Sequence, residues 1–327
     1  MTIHILGAGA IGCLMGASLR STNNKVTLLL RSKAHLDDFR HRQNSITYRS
    51  QGETKTMGPI DATVMTEGTD PIASLIVSTK ANHTLKALQP IASRLTPKST
   101  VLLLQNGMGV AEELQEHLWQ DPSQSPQIYV GVNRHAVHRL APFDIHHHSG
   151  QMDPKAFRIG PFPMSTKEND DTPELIQQIL RIPHFQAALV SWSDLQKQMI
   201  TKLFINACIN GVASILGCKN KGTIYHGNPG GIAMMRSICD EAYEVFKDDL
   251  PGETADSMME IVLQVNREAG ENTSSTLQDI QRRQLTEIDY INGYICKMGY
   301  QRGVNVKSSQ AIVNLIHAKE ALYSLQK

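Results

Sequence analysis

The sequence predicts an α/β chain in which a doubly wound parallel sheet at the N-terminus is followed by an all-α C-terminal domain. Three observations predict it. Short β-branched or Leu-rich runs alternate with helical stretches through the first half, the pattern of a parallel sheet with crossover helices. A glycine-rich turn lies directly between the first such run and the first helical stretch, and from Asp194 onward the signals are almost wholly helical. A boundary near Trp192 is expected, giving domains 1–192 and 193–327.

Taken in order, the expected strands are Ile3–Leu6, Val26–Leu30, Ser74–Ser78, Thr100–Leu104 and Ile128–Val132. Helices are expected over Ala10–Ser21, Lys33–Arg42, Asn82–Arg94 and Val110–Leu118. The stretch from Gln120 to Asp171 is richer in Pro, His, Ser and Asp, and it should hold loops and an antiparallel extension of the sheet. Farther on, Asn228-Pro229 and Glu271-Asn272-Thr273-Ser274 read as helix starts or connections.

With 327 residues, 41% hydrophobic and 19% charged, the chain can bury a real core. Its 32 Lys+Arg against 31 Asp+Glu argue against a dedicated nucleic-acid or anionic-membrane surface. No run approaches the roughly 18 consecutive apolar residues of a spanning helix. Ile5 to Leu19 could pass for the apolar part of a signal peptide, but no positive charge precedes it and glycines punctuate it. Five widely spaced cysteines without a CxxC pair suggest neither a disulfide scaffold nor a zinc site, so a reducing, cytoplasmic compartment is expected.

Gly7-Ala8-Gly9-Ala10-Ile11-Gly12 follows the first strand and opens a helix. In that context the first glycine permits a tight turn, the second lets the backbone approach a pyrophosphate, and the third allows close helix–strand packing. The N-terminal domain therefore reads as a Rossmann dinucleotide-binding domain. About twenty residues on, an NAD-preferring fold places Asp or Glu against the ribose 2′-hydroxyl. This chain has Arg31-Ser32-Lys33 instead, and an Arg there pairs with a 2′-phosphate, so the expected cofactor is NADP(H). Ligands of such sheets lie beyond the carboxyl ends of the strands, which raises Lys80 and Asn106-Gly107 by position, although a loop lysine and an Asn-Gly turn are ordinary in themselves.

In Lys202-Leu203-Phe204-Ile205-Asn206-Ala207-Cys208-Ile209-Asn210, everything is apolar except positions i, i+4 and i+8. Steps of four residues drift by only about 40°, so the three polar side chains form one stripe about 12 Å long. A helix apolar on its other faces is buried, and its polar stripe must meet something polar. A Lys ammonium can protonate a developing alkoxide, and Asn amides can hold a carboxylate or hydroxyl. Ser275-Thr276-Leu277-Gln278 matches a capping box opening a further helix, whose free N–H groups could also receive a carboxylate. Glu287 would lie about 18 Å farther along that helix, and spacing does not choose between Glu287 and Asp289. For His146-His147-His148 with His135 and His138, adjacent histidines on a strand alternate faces, so the run does not converge on one ion and no metal is expected.

These segments together resemble the ketopantoate reductases (2-dehydropantoate 2-reductases), nearly end to end. The resemblance runs from GAGAIG (Gly7–Gly12) through Arg31, the Lys80 turn, QNGMG (Gln105–Gly109) and GVNRHAVHR (Gly131–Arg139). It continues through KLFINACIN (Lys202–Asn210) to SSTLQDI (Ser274–Ile280) and TEIDYINGY (Thr286–Tyr294), the last two being specific to this family. It implies a Rossmann domain and a helical domain with the active site in the cleft between them. By position, Lys202 is similar to the family's proton donor, and Asn206, Asn210 and Asn220 to its substrate-contacting amides. Ser275 is similar to the serine that holds the substrate carboxylate, with Thr276, Leu277 and Gln278 beside it. Asn106 would lie near both nicotinamide and substrate, while Arg31, Lys80 and Ala136 would contact the cofactor. Glu287 resembles a glutamate that touches the cofactor end and matters for catalysis.

The implied activity is NADPH-dependent reduction of 2-dehydropantoate to (R)-pantoate, a step toward pantothenate and coenzyme A. Departures from the family pattern are Gly211 where many members have Pro, Met199 where a Trp is common, and Asn133-Arg134 in place of a small-hydroxyl pair. They leave room for another branched 2-keto acid as substrate. A non-catalytic NADP(H) sensor on the same scaffold is the reading from a different class, and such a sensor has no need of a proton donor. The expected partner is a small-molecule 2-keto acid, and a homodimer is compatible with the pattern.

Overall fold

The computed structural model describes residues 1–163 and 171–323, which fall into two compact units. One comprises residues 1–105 and 110–195; the other comprises residues 106–109 and the chain from 196 onward. The four-residue excursion 106–109 is the part of this division that no composition change announces.

In the first unit the strands are β1 (Thr2–Leu6), β2 (Lys25–Leu30), β3 (Ile46–Ser50), β4 (Glu53–Met57), β5 (Asp61–Val64) and β6 (Ser74–Val77). They continue as β7 (Thr100–Leu103), β8 (Gln127–Asn133), β9 (Ala136–Ala141), β10 (Asp144–Ser149), β11 (Phe157–Pro161) and β12 (Ala187–Leu189). The main sheet has the order β12-β11-β8-β7-β6-β1-β2-β5, in which β5-β2-β1-β6-β7-β8 is the parallel 3-2-1-4-5-6 order of a Rossmann sheet. β6 and β7 are buried along their whole length, as central strands covered on both faces must be. Antiparallel β11 extends the sheet beyond β8. Residues 164–170 of the stretch expected to form loops and this extension lie outside the described residues.

The helices of this unit are α1 (Ala10–Ser21), α2 (Lys33–His41), α3 (Ala81–Leu88), α4 (Val110–Leu118) and α5 (Glu174–Leu180). The helix expected over Asn82–Arg94 is α only to Leu88 and continues as a 3-10 turn, Gln89–Arg94. Pro90 is the reason, since it lacks an N–H and its ring clashes with the preceding turn.

A second sheet, β4-β3-β10-β9, was not expected around β3 and β4. Glu53–Met57 shows no apolar alternation and is mostly exposed, so it carries no strand period. Beneath this sheet Tyr48, His147 and His135 form a chain: Tyr48 OH to His147 Nδ1 at 2.8 Å, His147 Nε2 to His135 Nδ1 at 3.0 Å, and His135 Nε2 to the Phe185 carbonyl at 3.0 Å. The carbonyl only accepts, so His135 Nε2 donates. His147 Nε2 must then donate to His135, and Tyr48 to His147, with both rings neutral. His146 and His148 lie on the opposite face from buried His147, as strand alternation demands, and His148 meets His138 at 2.9 Å.

The second unit is helical: α6 (Trp192–Leu216, which begins in the first unit), α7 (Pro229–Phe246), α8 (Ala255–Glu268), α9 (Ser275–Gln281), α10 (Asn292–Arg302) and α11 (Lys307–Ala321). By length and composition α6 could cross a membrane, yet Leu203, Phe204, Ala207 and Cys208 are fully packed with Ile238, Val262, Ile295 and Ile316 in the helical core. Asn228 and Thr254 cap α7 and α8 through their side chains.

Two helix expectations are corrected. The cap of α9 is Ser274, whose hydroxyl accepts from Leu277 N at 3.2 Å, while Ser275 is already the first helical residue. The helix also ends at Gln281, and Arg283 takes a left-handed conformation (φ 52°). Glu287 therefore stands at the entrance of a separate 3-10 turn, Ile288–Tyr290, and not 18 Å along the axis of α9.

Candidate active site

The first unit carries the glycine loop expected to cradle a dinucleotide. Gly7 has φ 105°, and a Cβ there would come within 2.8 Å of Thr79 N, so only glycine makes the turn. A Cβ at Gly12 would fall on the Gly7 carbonyl, so this glycine is demanded by helix–loop packing. Gly9 is different: a Cβ there meets nothing within 4 Å. No protein atom requires glycine at 9, which is the signature expected of a position kept bare for a ligand's approach. Gly9 is also the N-cap of α1 and offers no side-chain cap, and the first turn holds no acid to compete with a phosphate. Ser78 Oγ donates to the Gly7 carbonyl at 2.8 Å and steadies the loop from the end of β6. These residues fit a pyrophosphate.

Arg31 follows β2 and is exposed; Ser32 beside it caps α2 by accepting from His35 N at 3.3 Å. The capping duty thus falls on Ser32 and not on Arg31, the residue directly after β2. Lys80 is the N-cap residue of α3 after β6, with Ala136 at the start of β9.

The second unit carries the polar stripe. Lys202, Asn206 and Asn210 all lie on α6, partly or wholly buried while their neighbours Leu203, Phe204 and Ala207 are in the core. Lys202 Nζ donates to Asn106 Oδ1 at 3.0 Å, joining residues far apart in sequence. Asn106 is held there by its own loop: Met108 N donates to the Tyr290 carbonyl at 2.8 Å, and a Cβ on Gly107 (φ 82°) would collide with that carbonyl. The sequence suggested no more for Gly107 than an Asn-Gly turn. At the far end of the stripe Asn210 Nδ2 donates to Ser275 Oγ at 3.5 Å.

Asn220 sits in a 3-10 turn whose N–H donates to the Asn272 carbonyl, and its Nδ2 donates to the Ala269 carbonyl at 3.1 Å. Thr223 Oγ1 bonds the Asn220 carbonyl at 2.8 Å and accepts from fully buried Asn266 at 2.7 Å, so Asn266 braces this turn without having been singled out. Thr276 and Leu277 bury their side chains, Leu277 N is taken by Ser274, and Gln278 Nε2 donates to the Thr273 carbonyl. The two acids between which spacing does not choose differ in burial: Glu287 is 8% exposed, whereas Asp289 is exposed and pairs with His317 at 3.1 Å. Asn106, Lys202, Asn206, Asn210, Ser275, Asn220 and Glu287 thus belong to one unit, and the glycine loop, Arg31, Lys80 and Ala136 to the other.

Residues 3–163 match the family described as ketopantoate reductase PanE/ApbA, and residues 194–320 match its C-terminal domain. A probable 2-dehydropantoate 2-reductase of Schizosaccharomyces pombe is 31% identical, covering 98% of this chain and 97% of that protein. The 2-dehydropantoate 2-reductase of Saccharomyces cerevisiae is 28% identical over 91% of this chain and 88% of its own length. Among solved structures, D-mandelate dehydrogenase with NADH and anilino(oxo)acetate superposes with a TM-score of 0.83 at 22% identity, each chain covered to 99%. A probable 2-dehydropantoate 2-reductase from Bacillus subtilis superposes with a TM-score of 0.75 at 24% identity, over 98% of this chain and all of that one.

Proposed function

The chain belongs to the ketopantoate reductase family, and from that premise we propose that it reduces 2-dehydropantoate to (R)-pantoate with NADPH, using Lys202 as proton donor. The observation that carries the reading is the bond from Lys202 Nζ to Asn106 Oδ1 at 3.0 Å, on a helix whose other faces are core. A reduced nicotinamide, when bound, supplies hydride to the C2 carbonyl. The substrate already bears a carboxylate, and an alkoxide develops beside it, so one cation with neutral donors is the lining the chemistry asks for. Lys202 gives its proton to the developing alkoxide. Asn106 accepts one ammonium N–H and so aims the ammonium group. Asn206, Asn210, Asn220 and Ser275 offer amide and hydroxyl groups to the carboxylate and the hydroxyl, and Glu287 meets the cofactor end.

Gly7 to Gly12 (Gly7, Ala8, Gly9, Ala10, Ile11, Gly12) cradle the pyrophosphate, and Arg31 receives the 2′-phosphate, with Lys80 and Ala136 beside the dinucleotide. The setting is the cytoplasmic route to pantothenate, in a homodimer. The test is oxidation of NADPH with and without 2-dehydropantoate, repeated with NADH, with 2-oxoisovalerate and with the keto acid of mandelate. A higher kcat/KM for 2-dehydropantoate than for the other acids is expected; a preference for either of them overturns the substrate assignment. Arg31→Ala should raise KM for NADPH about tenfold and leave KM for NADH nearly unchanged. Equal loss with both cofactors would remove Arg31 from the 2′-phosphate.

A further inference from the structure

Three hydrogen bonds in the second unit close a ring through three distant segments. Lys202 on α6 donates to Asn106 at 3.0 Å; two residues on, Met108 N donates to the Tyr290 carbonyl at 2.8 Å; and Asn292, two residues beyond Tyr290, donates through Nδ2 to the Ala207 carbonyl of α6 at 3.3 Å. The circuit leaves α6 at Lys202 and returns to it at Ala207, between Asn206 and Asn210. Asn292 is the link that closes it.

Asn292 is completely buried, and its Oδ1 has no hydrogen-bond partner among the described residues. An unpartnered buried amide oxygen costs stability that an apolar side chain of the same size would not. Packing alone therefore does not account for asparagine here, whereas the bond to α6 does. Gly211 of α6 lies beside this amide: a Cβ there would crowd Ile312 Cγ2 at 2.7 Å and would stand in ordinary contact with Oδ1 at 3.5 Å.

We propose that Asn292 is a positioning residue that fixes the register of α6 against the 287–291 turn and thereby holds the Lys202 ammonium on Asn106. It touches neither substrate nor cofactor. The proposal deepens the reductase reading and rests on it for its kinetic consequence, but its effect on Lys202 is independent of any substrate.

The experiment compares wild type with Asn292→Leu, Gly107→Ala and the double variant. Gly107→Ala opens the same ring at the Met108–Tyr290 bond. Turnover is measured with 2-dehydropantoate, together with the pH dependence of Lys202 acylation by a soluble succinimidyl ester, read by peptide mass spectrometry. Asn292→Leu should melt at or above the wild-type temperature, lose about 10- to 100-fold in kcat with KM for NADPH unchanged, and move the Lys202 labelling profile along pH. The double variant should be no slower than the slower single, because both open one circuit. If Asn292→Leu does not fold, Asn292→Ala reads the same bond. A kcat within twofold of wild type overturns the proposal, as does a loss that follows melting temperature while the labelling profile stays in place. Should the wild type reduce no 2-keto acid, the reductase reading falls, and the labelling profile still decides the role of Asn292.

Discussion

In the first unit Tyr48, His147 and His135 pass hydrogen bonds in one direction and end on a backbone carbonyl, with every ring nitrogen of the chain used. In the second unit Asn220, Asn266 and Asn292 bury amide oxygens that no described residue satisfies, and Lys202 lies on a helix set in the apolar core. Both assemblies are polar groups under a hydrophobic shell, where each unmet partner costs about 1–3 kcal/mol. The first closes on itself and so stabilises a fold. The second leaves acceptors over, the mark of an arrangement kept for something other than stability. Variants at Lys202 and Asn292 should therefore cost rate and spare melting, and those in the closed set the reverse.

Lys202→Ala gives the largest effect. It should lower kcat by roughly two or more orders of magnitude, with NADPH binding and melting temperature nearly intact. Near-normal turnover would remove Lys202 as proton donor and with it the contrast. Gly107→Ala comes next: a Cβ against the Tyr290 carbonyl displaces the Asn106 loop, so kcat/KM for the keto acid should fall about 10- to 100-fold. An unaltered steady state would show that Asn106 need not be held.

The smallest effect belongs to the closed set and is read by pH. Burial, with His135 and His184 beside it, pushes His147 down to about 3, and burial lowers His135 and His184 as well. Below their usual value the unfolded chain binds protons that the folded chain refuses. The stabilisation is complete above about pH 6.5 and is lost as pH falls toward 3. Melting at pH 5 should come roughly 4–8 °C below melting at pH 7. His147→Gln should flatten that slope without changing kcat at neutral pH. An equally steep slope in the variant would move the acid sensitivity elsewhere.

The glycine loop was legible because its pattern is contiguous: strand, turn and helix follow within a dozen residues, and Gly12 answers to the Gly7 carbonyl five residues away, although the steric demand on Gly7 comes from Thr79 N at the end of β6. The α6 stripe was legible because helical period alone puts i, i+4 and i+8 on one line. Less was visible where one residue of phase matters, as at Ser274 and Ser275, where the cap and the first helical residue are the same amino acid. The end of α9 before the 287 region is not legible, because Arg283 is neither Gly nor Asn and nothing in its side chain announces the left-handed backbone. β4 carried no apolar alternation, and its pairing with β3 is a matter of the turn at Gln51-Gly52, both at positive φ.

By itself the sequence determined what is local: a bare Gly9 at the mouth of α1, a cation after β2 in place of an acid, and a lysine and two asparagines on one face of an apolar helix. Those follow from sterics and periodicity within a few turns of chain. Only the tertiary structure decided that Glu287 is buried and Asp289 is not, that Asn106 joins the helical unit, and that Asn292 reaches the Ala207 carbonyl. Each of these depends on which distant segments the core brings within 3 to 4 Å, and no local pattern encodes that distance.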